Sequence, residues 1–306
     1  MINPETPMTF RAATFIAFTS LLLITHAKAC KTNAALSPED IIQQEINLNE
    51  ILINIHRLQL DFLDQVVREE LQEAQQALHI GIHSMPNCVS GLETDELLTT
   101  ITSLWPVVSK HITWLSTITA SAEPPPANSL LRVLAKMDRR LRLLRRKATN
   151  LRSEFSEKLR FLEQALLMQH ITRDYLSLMI AKQNTEVSIV GQMQLKALAN
   201  RFDKRMTTLH DELSEHPRAM RPIQQAHTAW AFIHSSVKKF PEQQTPDLIV
   251  RYGNRIVSEL SSVHHMFLGS NPCKMTRHVL VANGMKDSRQ SIPDATRHNV
   301  HSFNMG

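Results

Sequence analysis

Apolar residues recur at three- and four-residue spacing along most of this chain, and that period specifies amphipathic α-helix. Ser37-Pro38-Glu39-Asp40 supplies a helix start, with Ser37 as cap and Pro38 in the first turn. Ile41, Leu48, Leu52, Ile55, Phe62 and Val66 carry the stripe onward to about Leu78. Further helical stretches are predicted over about 94–119, 128–183, 186–213, 218–240 and 246–268. Only 7 of 306 residues are Gly and 5% are aromatic, too few turn and strand formers for a β-protein. The expected fold is all-α, a long-helix antiparallel bundle built from two similar helical halves.

The ends have a different character. Arg11 precedes an uncharged, mostly apolar run from Ala12 to Ile24, followed by Ala27-Lys28-Ala29. That is the layout of a secretory signal over residues 1–29, cleaved after Ala29. Cys30 would then stand first, where it resembles the lipid-acceptor Cys of bacterial lipoproteins; a free or disulfide-bonded thiol is the alternative. The expected location is outside the cytoplasm, in the periplasm or lipid-anchored to the envelope. If Cys30 is lipidated, Cys88 and Cys273 remain as an even pair, either disulfide-bonded to each other or two free thiols. Residues 30–37 read as a tether and 269–306 as a polar, mobile tail.

Two segments align at an offset of 113 residues: Ile55-His56-Arg57-Leu58-Gln59-Leu60-Asp61-Phe62-Leu63 over Met168-Gln169-His170-Ile171-Thr172-Arg173-Asp174-Tyr175-Leu176. Leu104-Trp105-Pro106 and Ala229-Trp230-Ala231 pair at a larger offset. The halves are therefore set at 38–127 and 128–268. Leu167-Met168-Gln169-His170-Ile171-Thr172-Arg173-Asp174-Tyr175-Leu176 resembles the L-S-Q-R-I-A-R-D-Y-L run of the N-terminal sensor domain of type IV pili methyl-accepting chemotaxis proteins (PilJ-type). That domain is related to the periplasmic domains of nitrate/nitrite sensors. Glu45-Ile46-Asn47-Leu48, Leu104-Trp105-Pro106 and Thr245-Pro246-Asp247-Leu248 fit further motifs of the family. The resemblance covers roughly 45–268. It implies a helical sensor domain of the envelope linked to pilus or chemosensory signalling. Nitrate-sensing relatives hold their anion with an Arg where this chain has Ala165, so an anion clamp of that kind is not expected.

Polar residues interrupt two apolar seams. Asn49 and His56 break the first helix, and Gln169 and Arg173 break the third stretch. Polar groups on facing helices are how bundles build ligand sites, and Arg173 would favour an anion. Core polars that fix helix register are the alternative reading of all four residues. Residues 130–160 hold 11 Lys and Arg against 3 Asp and Glu, centred on Arg139 to Arg146. This stripe is either a solvated face or a contact for anionic lipid; an exported chain without aromatic interleaving is not expected to meet nucleic acid. His79 and His83 have metal-pair spacing, but Gly81 between them marks a fading helix, and no metal site is expected. Trp105, Trp114 and Trp230 read as core. No cofactor and no catalysis are expected. The expected partners are a small ligand, an anion among the candidates, or an envelope protein, with a second copy of this chain as a further candidate. A structural adaptor without a small ligand is the rival function.

Overall fold

A computed structural model describes residues 36–85, 92–117, 127–150, 156–183 and 188–267. These form eight helices and no strand: α1 Pro38–Leu60, α2 Gln65–Ser84, α3 Leu92–Thr117, α4 Ala127–Asn150, α5 Ser156–Gln183, α6 Ile189–Glu212, α7 Pro217–Lys238 and α8 Pro246–Phe267. The expected signal segment, Cys30, Cys88, Cys273 and the expected tail lie outside the described residues. Among those described, no helix is long and apolar enough to cross a membrane.

The helix boundaries follow from local chemistry. Ser37 Oγ accepts from Glu39 N at 3.2 Å and opens α1. The expected single helix to Leu78 is in fact two. Asp61 is extended and its Oδ1 accepts from Leu63 N at 3.1 Å, while Asp64 caps α2 by accepting from Val67 N at 3.1 Å. Two short carboxylates offer the backbone an alternative to the helix, and the chain turns there. Gly81 does not end α2, which continues to Ser84. The expected stretch over 128–183 likewise divides into α4 and α5.

The helices pack in two closed rings. In the first, α1 packs on α2, α2 on α3, α3 on α4 and α4 back on α1. In the second, α5, α6, α7 and α8 close in the same order, and α1 packs on α5 between the rings. Cross-helix contacts run in opposite orders along neighbours within a ring: Gln75 meets Thr113 and His79 meets Trp105; Arg160 meets Glu212 and Gln164 meets Phe202. Each ring is thus an antiparallel bundle. Each has its own apolar core, one of residues 36–148 and one of residues 159–263 joined by Ile42, Ile46 and Ile53. Helix α4 belongs to the first core through Leu130, Leu134, Met137, Leu141 and Leu144. The two apolar clusters thus part between α4 and α5, with the apolar face of α4 packed on α1 and α3.

Helix α1 is buried on nearly every side, as a helix shared between two cores must be. At about 100° per residue, Ile42, Ile46 and Ile53 form one stripe toward the second core. Ile41, Leu48, Leu52 and Ile55 form another toward the first. Glu45, Asn49 and His56 occupy the strip between the two.

Candidate functional site

That polar strip meets α4 and α5. Arg173 donates from Nη1 to Asn49 Oδ1 at 2.9 Å and from Nε to Asp174 Oδ1 at 2.8 Å. Asp138 Oδ2, on α4, lies 3.8 Å from Arg173 Nη1 and 2.7 Å from Arg142 Nη2. Asn49 donates to the Glu45 carbonyl at 2.7 Å. One turn away Arg145 Nε donates to Glu45 Oε1 at 2.9 Å, and its Nη1 stands 3.9 Å from Glu163 of α5. The network thus joins α1, α4 and α5 along the line where the two cores touch.

Of the four residues expected to form a site, the structure brings Asn49 and Arg173 into direct contact. His56 pairs elsewhere, its Nδ1 2.9 Å from Gln59 Oε1. Burial pushes the His56 imidazole below its usual range, and the Arg173 guanidinium adds to that. Gln169 is buried one turn before Arg173, and its Oε1 has no partner. Sequence reasoning missed Glu45, Asp138, Arg145, His170 and Asp174. Two of them carried a signal: Glu45 sits at helical spacing between Ile42 and Asn49, and Asp138 is the only acid in a run of cations.

The electrostatics are unusual for a scaffold. Glu45 is fully buried, and its carboxyl is pushed up to about 7, chiefly by desolvation and then by Asp138, against the pull of Arg145. His170 is held down at about 3 by burial and by Arg173, Arg142 and Arg145. Glu45 Oε2, Asp138 Oδ1, Gln169 Oε1 and His170 Nε2 are buried without a hydrogen bond. Each such group costs about 1–3 kcal/mol.

The basic run on α4 is correspondingly divided. Arg142 and Arg145 turn inward onto Asp138 and Glu45, and Lys147 reaches Glu93 at 2.7 Å. Arg132, Lys136, Arg139 and Arg146 remain on the exposed side. Two cations of the stripe, Arg142 and Arg145, are thus counter-charge for buried acids, and most of the rest form an exposed face.

A second feature lies on the outside of the first bundle. His79, His83, Trp105, Lys110, Thr113 and Trp114 line an open cleft of about 550 Å³ between α2 and α3. Trp105 is core, as expected, but Trp114 is 46% exposed, because it lies on the solvent side of α3 while Val108, Ile112 and Leu115 face inward. The two imidazoles lie 4.1 Å apart between ring centroids, tilted by 44°. Among the described residues no group of three or more His, Cys, Asp or Glu is placed to hold a metal ion. Compared with protein-family models, with curated proteins and with solved structures, the chain finds no match in any of the three.

Proposed function

We propose that this chain is an exported, non-catalytic helical domain of sensor type. It receives a small ligand or an envelope protein and passes the event between its two bundles through the wall formed by α1, α4 and α5. The observation that carries this reading is the charged network in that wall. Apolar residues of similar volume are often as stable as, or more stable than, a buried ion pair with unsatisfied oxygens. A network retained at the contact between two cores has the character of a biased element rather than of a filler. The resemblance of Leu167–Leu176 to the PilJ-type sensor motif supports the same reading and links it to pilus or chemosensory signalling. The exposed face of α4, with Arg139 and Arg146, is the surface we assign to anionic headgroups if Cys30 tethers the chain nearby.

One observation favours the rival adaptor function. The Arg173 guanidinium is already engaged by Asn49, Asp174 and Asp138, so an anion there must displace internal partners. A thermal-shift scan of the chain against small anions and polar metabolites, nitrate and nitrite included, separates the two. A ligand at about 100 times its Kd adds about 2.7 kcal/mol, or a shift of roughly 5–10 °C for a chain of this size. In the sensor reading, replacing Gln169 and Arg173 together by Leu leaves the fold stable and abolishes coupling between the bundles, read as hydrogen exchange in α6–α8 on ligand addition. A flat scan with unchanged exchange sinks the sensor and leaves the adaptor.

A further inference from the structure

The α2–α3 cleft carries its own chemistry. Trp105 Nε1 donates to His79 Nδ1 at 2.9 Å, which places the His79 proton on Nε2. His79 therefore offers an N–H donor outward. His83 is fixed the other way: its Nδ1–H donates to the His79 carbonyl at 2.8 Å, which leaves its Nε2 as an acceptor. Lys110 of α3 adds an ammonium to the lining. The hydroxyls of Thr113 and Thr117 donate back to the Ser109 and Thr113 carbonyls, and Gln75 is spent on Ser109 and Thr113. No lining residue is a carboxylate; α2 has none after Glu73, and α3 none after Glu96. The half-exposed indole of Trp114 adds an apolar face to the lining.

A cleft with an ammonium, an imidazole donor, a flat aromatic face and no acidic lining residue selects for one combination. We propose that it is a binding site for a small organic anion with a flat, aromatic body, an aromatic carboxylate being the simplest case. The carboxylate pairs with Lys110 and His79 Nε2–H, and the ring stacks on Trp114. A sugar fits less well, because vicinal hydroxyls need acidic or amide acceptors that these walls lack. A metal fits less well, because His79 presents a proton and His83 alone offers a lone pair, with no third ligand among the described residues. This assignment rests on the reading of the chain as a ligand-receiving domain and names the class of ligand.

The test uses the full mature chain with benzoate as probe, by calorimetry and by the indole N–H signals of its 3 tryptophans. Benzoate is expected to bind with a Kd of order 0.1–1 mM, as befits a small ligand in an open cleft. It moves the Trp114 and Trp105 signals and leaves Trp230 in place. Acetate and benzyl alcohol each bind about tenfold more weakly, since each lacks one half of the recognition. Lys110→Gln weakens benzoate about tenfold and leaves benzyl alcohol unchanged; Trp114→Ala weakens both. Both variants sit on exposed helix positions, and circular dichroism checks that they fold. Absence of saturation up to about 20 mM benzoate, or wild-type binding in both variants, overturns the proposal. So does a neutral sugar that moves Trp114 when benzoate does not. A compound that raises the melting temperature without moving Trp114 sinks the cleft but leaves the sensor reading intact. Benzoate bound at the cleft, with hydrogen exchange in α6–α8 unchanged, does the reverse.

Discussion

Both bundles place a tryptophan on their third helix and aim its N–H at the second, yet the two neighbourhoods end differently. In the second bundle Trp230 on α7 donates to Asp203 on α6 at 3.1 Å and packs on Phe202 at 4.6 Å between ring centroids. That corner is filled. In the first bundle Trp105 on α3 donates to the exposed His79, whose own ring lies tilted against His83, and the next indole along α3 is half-exposed. The same tie between helices two and three therefore closes a core in one bundle and floors an open cleft in the other. A shared packing scheme leaves the outer residues free to differ, and the difference opens a cleft on the first bundle at the corner that the second fills.

The largest expected effects test whether those two corners differ as described. Trp230→Ala removes a side chain that is 2% exposed and should cost about 3–5 kcal/mol in urea denaturation. Trp114→Ala should stay within about 0.5 kcal/mol, as for a surface position. Equal losses at the two sites would mean that the first bundle has no open corner and that the contrast is wrong.

The wall between the bundles yields the next contrast. Above about pH 7, where Glu45 is ionised, Arg145→Met strands this fully buried carboxylate and should cost about 3–5 kcal/mol, with most of it regained in the Glu45→Leu/Arg145→Met double variant. In the second bundle Arg160 pairs with Glu212 in a half-exposed setting, and Arg160→Met should cost about 1 kcal/mol or less. A single-variant loss at Arg145 no larger than at Arg160 would remove the wall's special status.

These residues also show what was legible. The helical period is strong because nearly every apolar face is buried, so the all-α fold follows from Ile41, Leu48, Leu52 and Ile55 and their counterparts. The break at Asp61–Asp64 was hidden because the apolar period runs through it; only the two carboxylates that turn the chain betray it. The membership of α4 was hidden for another reason. Its apolar face is ordinary, and partner choice is decided by complementarity across some hundred residues, as between Arg145 and Glu45. Within the site, Asn49 and Arg173 stood out as interruptions of apolar seams. Glu45, by contrast, offers only its spacing between Ile42 and Asn49, on a helix whose all-round burial no short window reveals. The cleft was missed because the exposure of Trp114 depends on which face of α3 turns inward.

A third contrast is in pH. Glu45 keeps its proton up to about pH 7 in the fold, against 4.5 for an unperturbed glutamate. Between those values the folded chain binds more protons than the unfolded one. Its contribution is fully present below about 4.5 and is lost as pH rises through about 7. A displacement of that size corresponds to roughly 3 kcal/mol. Glu50, lifted to about 7 by burial and by Glu70 and Glu73, acts in the same direction. His170 opposes them. Its contribution is present above about 6.5 and is lost as pH falls toward 3. Melting temperatures across about pH 5–8 should therefore show a slope that Glu45→Gln flattens and His170→Gln makes more negative. If Glu45→Gln leaves the slope unchanged, the wall is not the titrating element.

The smallest effect compares one glycine from each bundle. A Cβ at Gly81 on α2 would fall 1.8 Å from Gln44 Oε1 of α1, and one at Gly253 on α8 would fall 2.6 Å from Thr172 Oγ1 of α5. The first distance is shorter, but the obstacle is the far end of a flexible side chain that can swing aside. Its displacement loses the bond between Gln44 and Asn47. Against that stands the gain of about 1 kcal/mol when a helical Gly becomes Ala. Gly81→Ala should therefore lie within about 1 kcal/mol of wild type. At Gly253 the obstacle hangs directly on the β-carbon of Thr172, which is 1% exposed and has a restricted rotamer choice. There the two helices themselves must part, and Gly253→Ala should cost about 1–3 kcal/mol. Thr172→Ala in the same chain removes the obstacle and should recover most of that loss, which urea midpoints at equal m-value would read directly. A Gly81→Ala loss larger than that of Gly253→Ala would mean that Gln44 is held as rigidly as Thr172. The α1–α2 contact would then be as tightly specified as the α5–α8 contact.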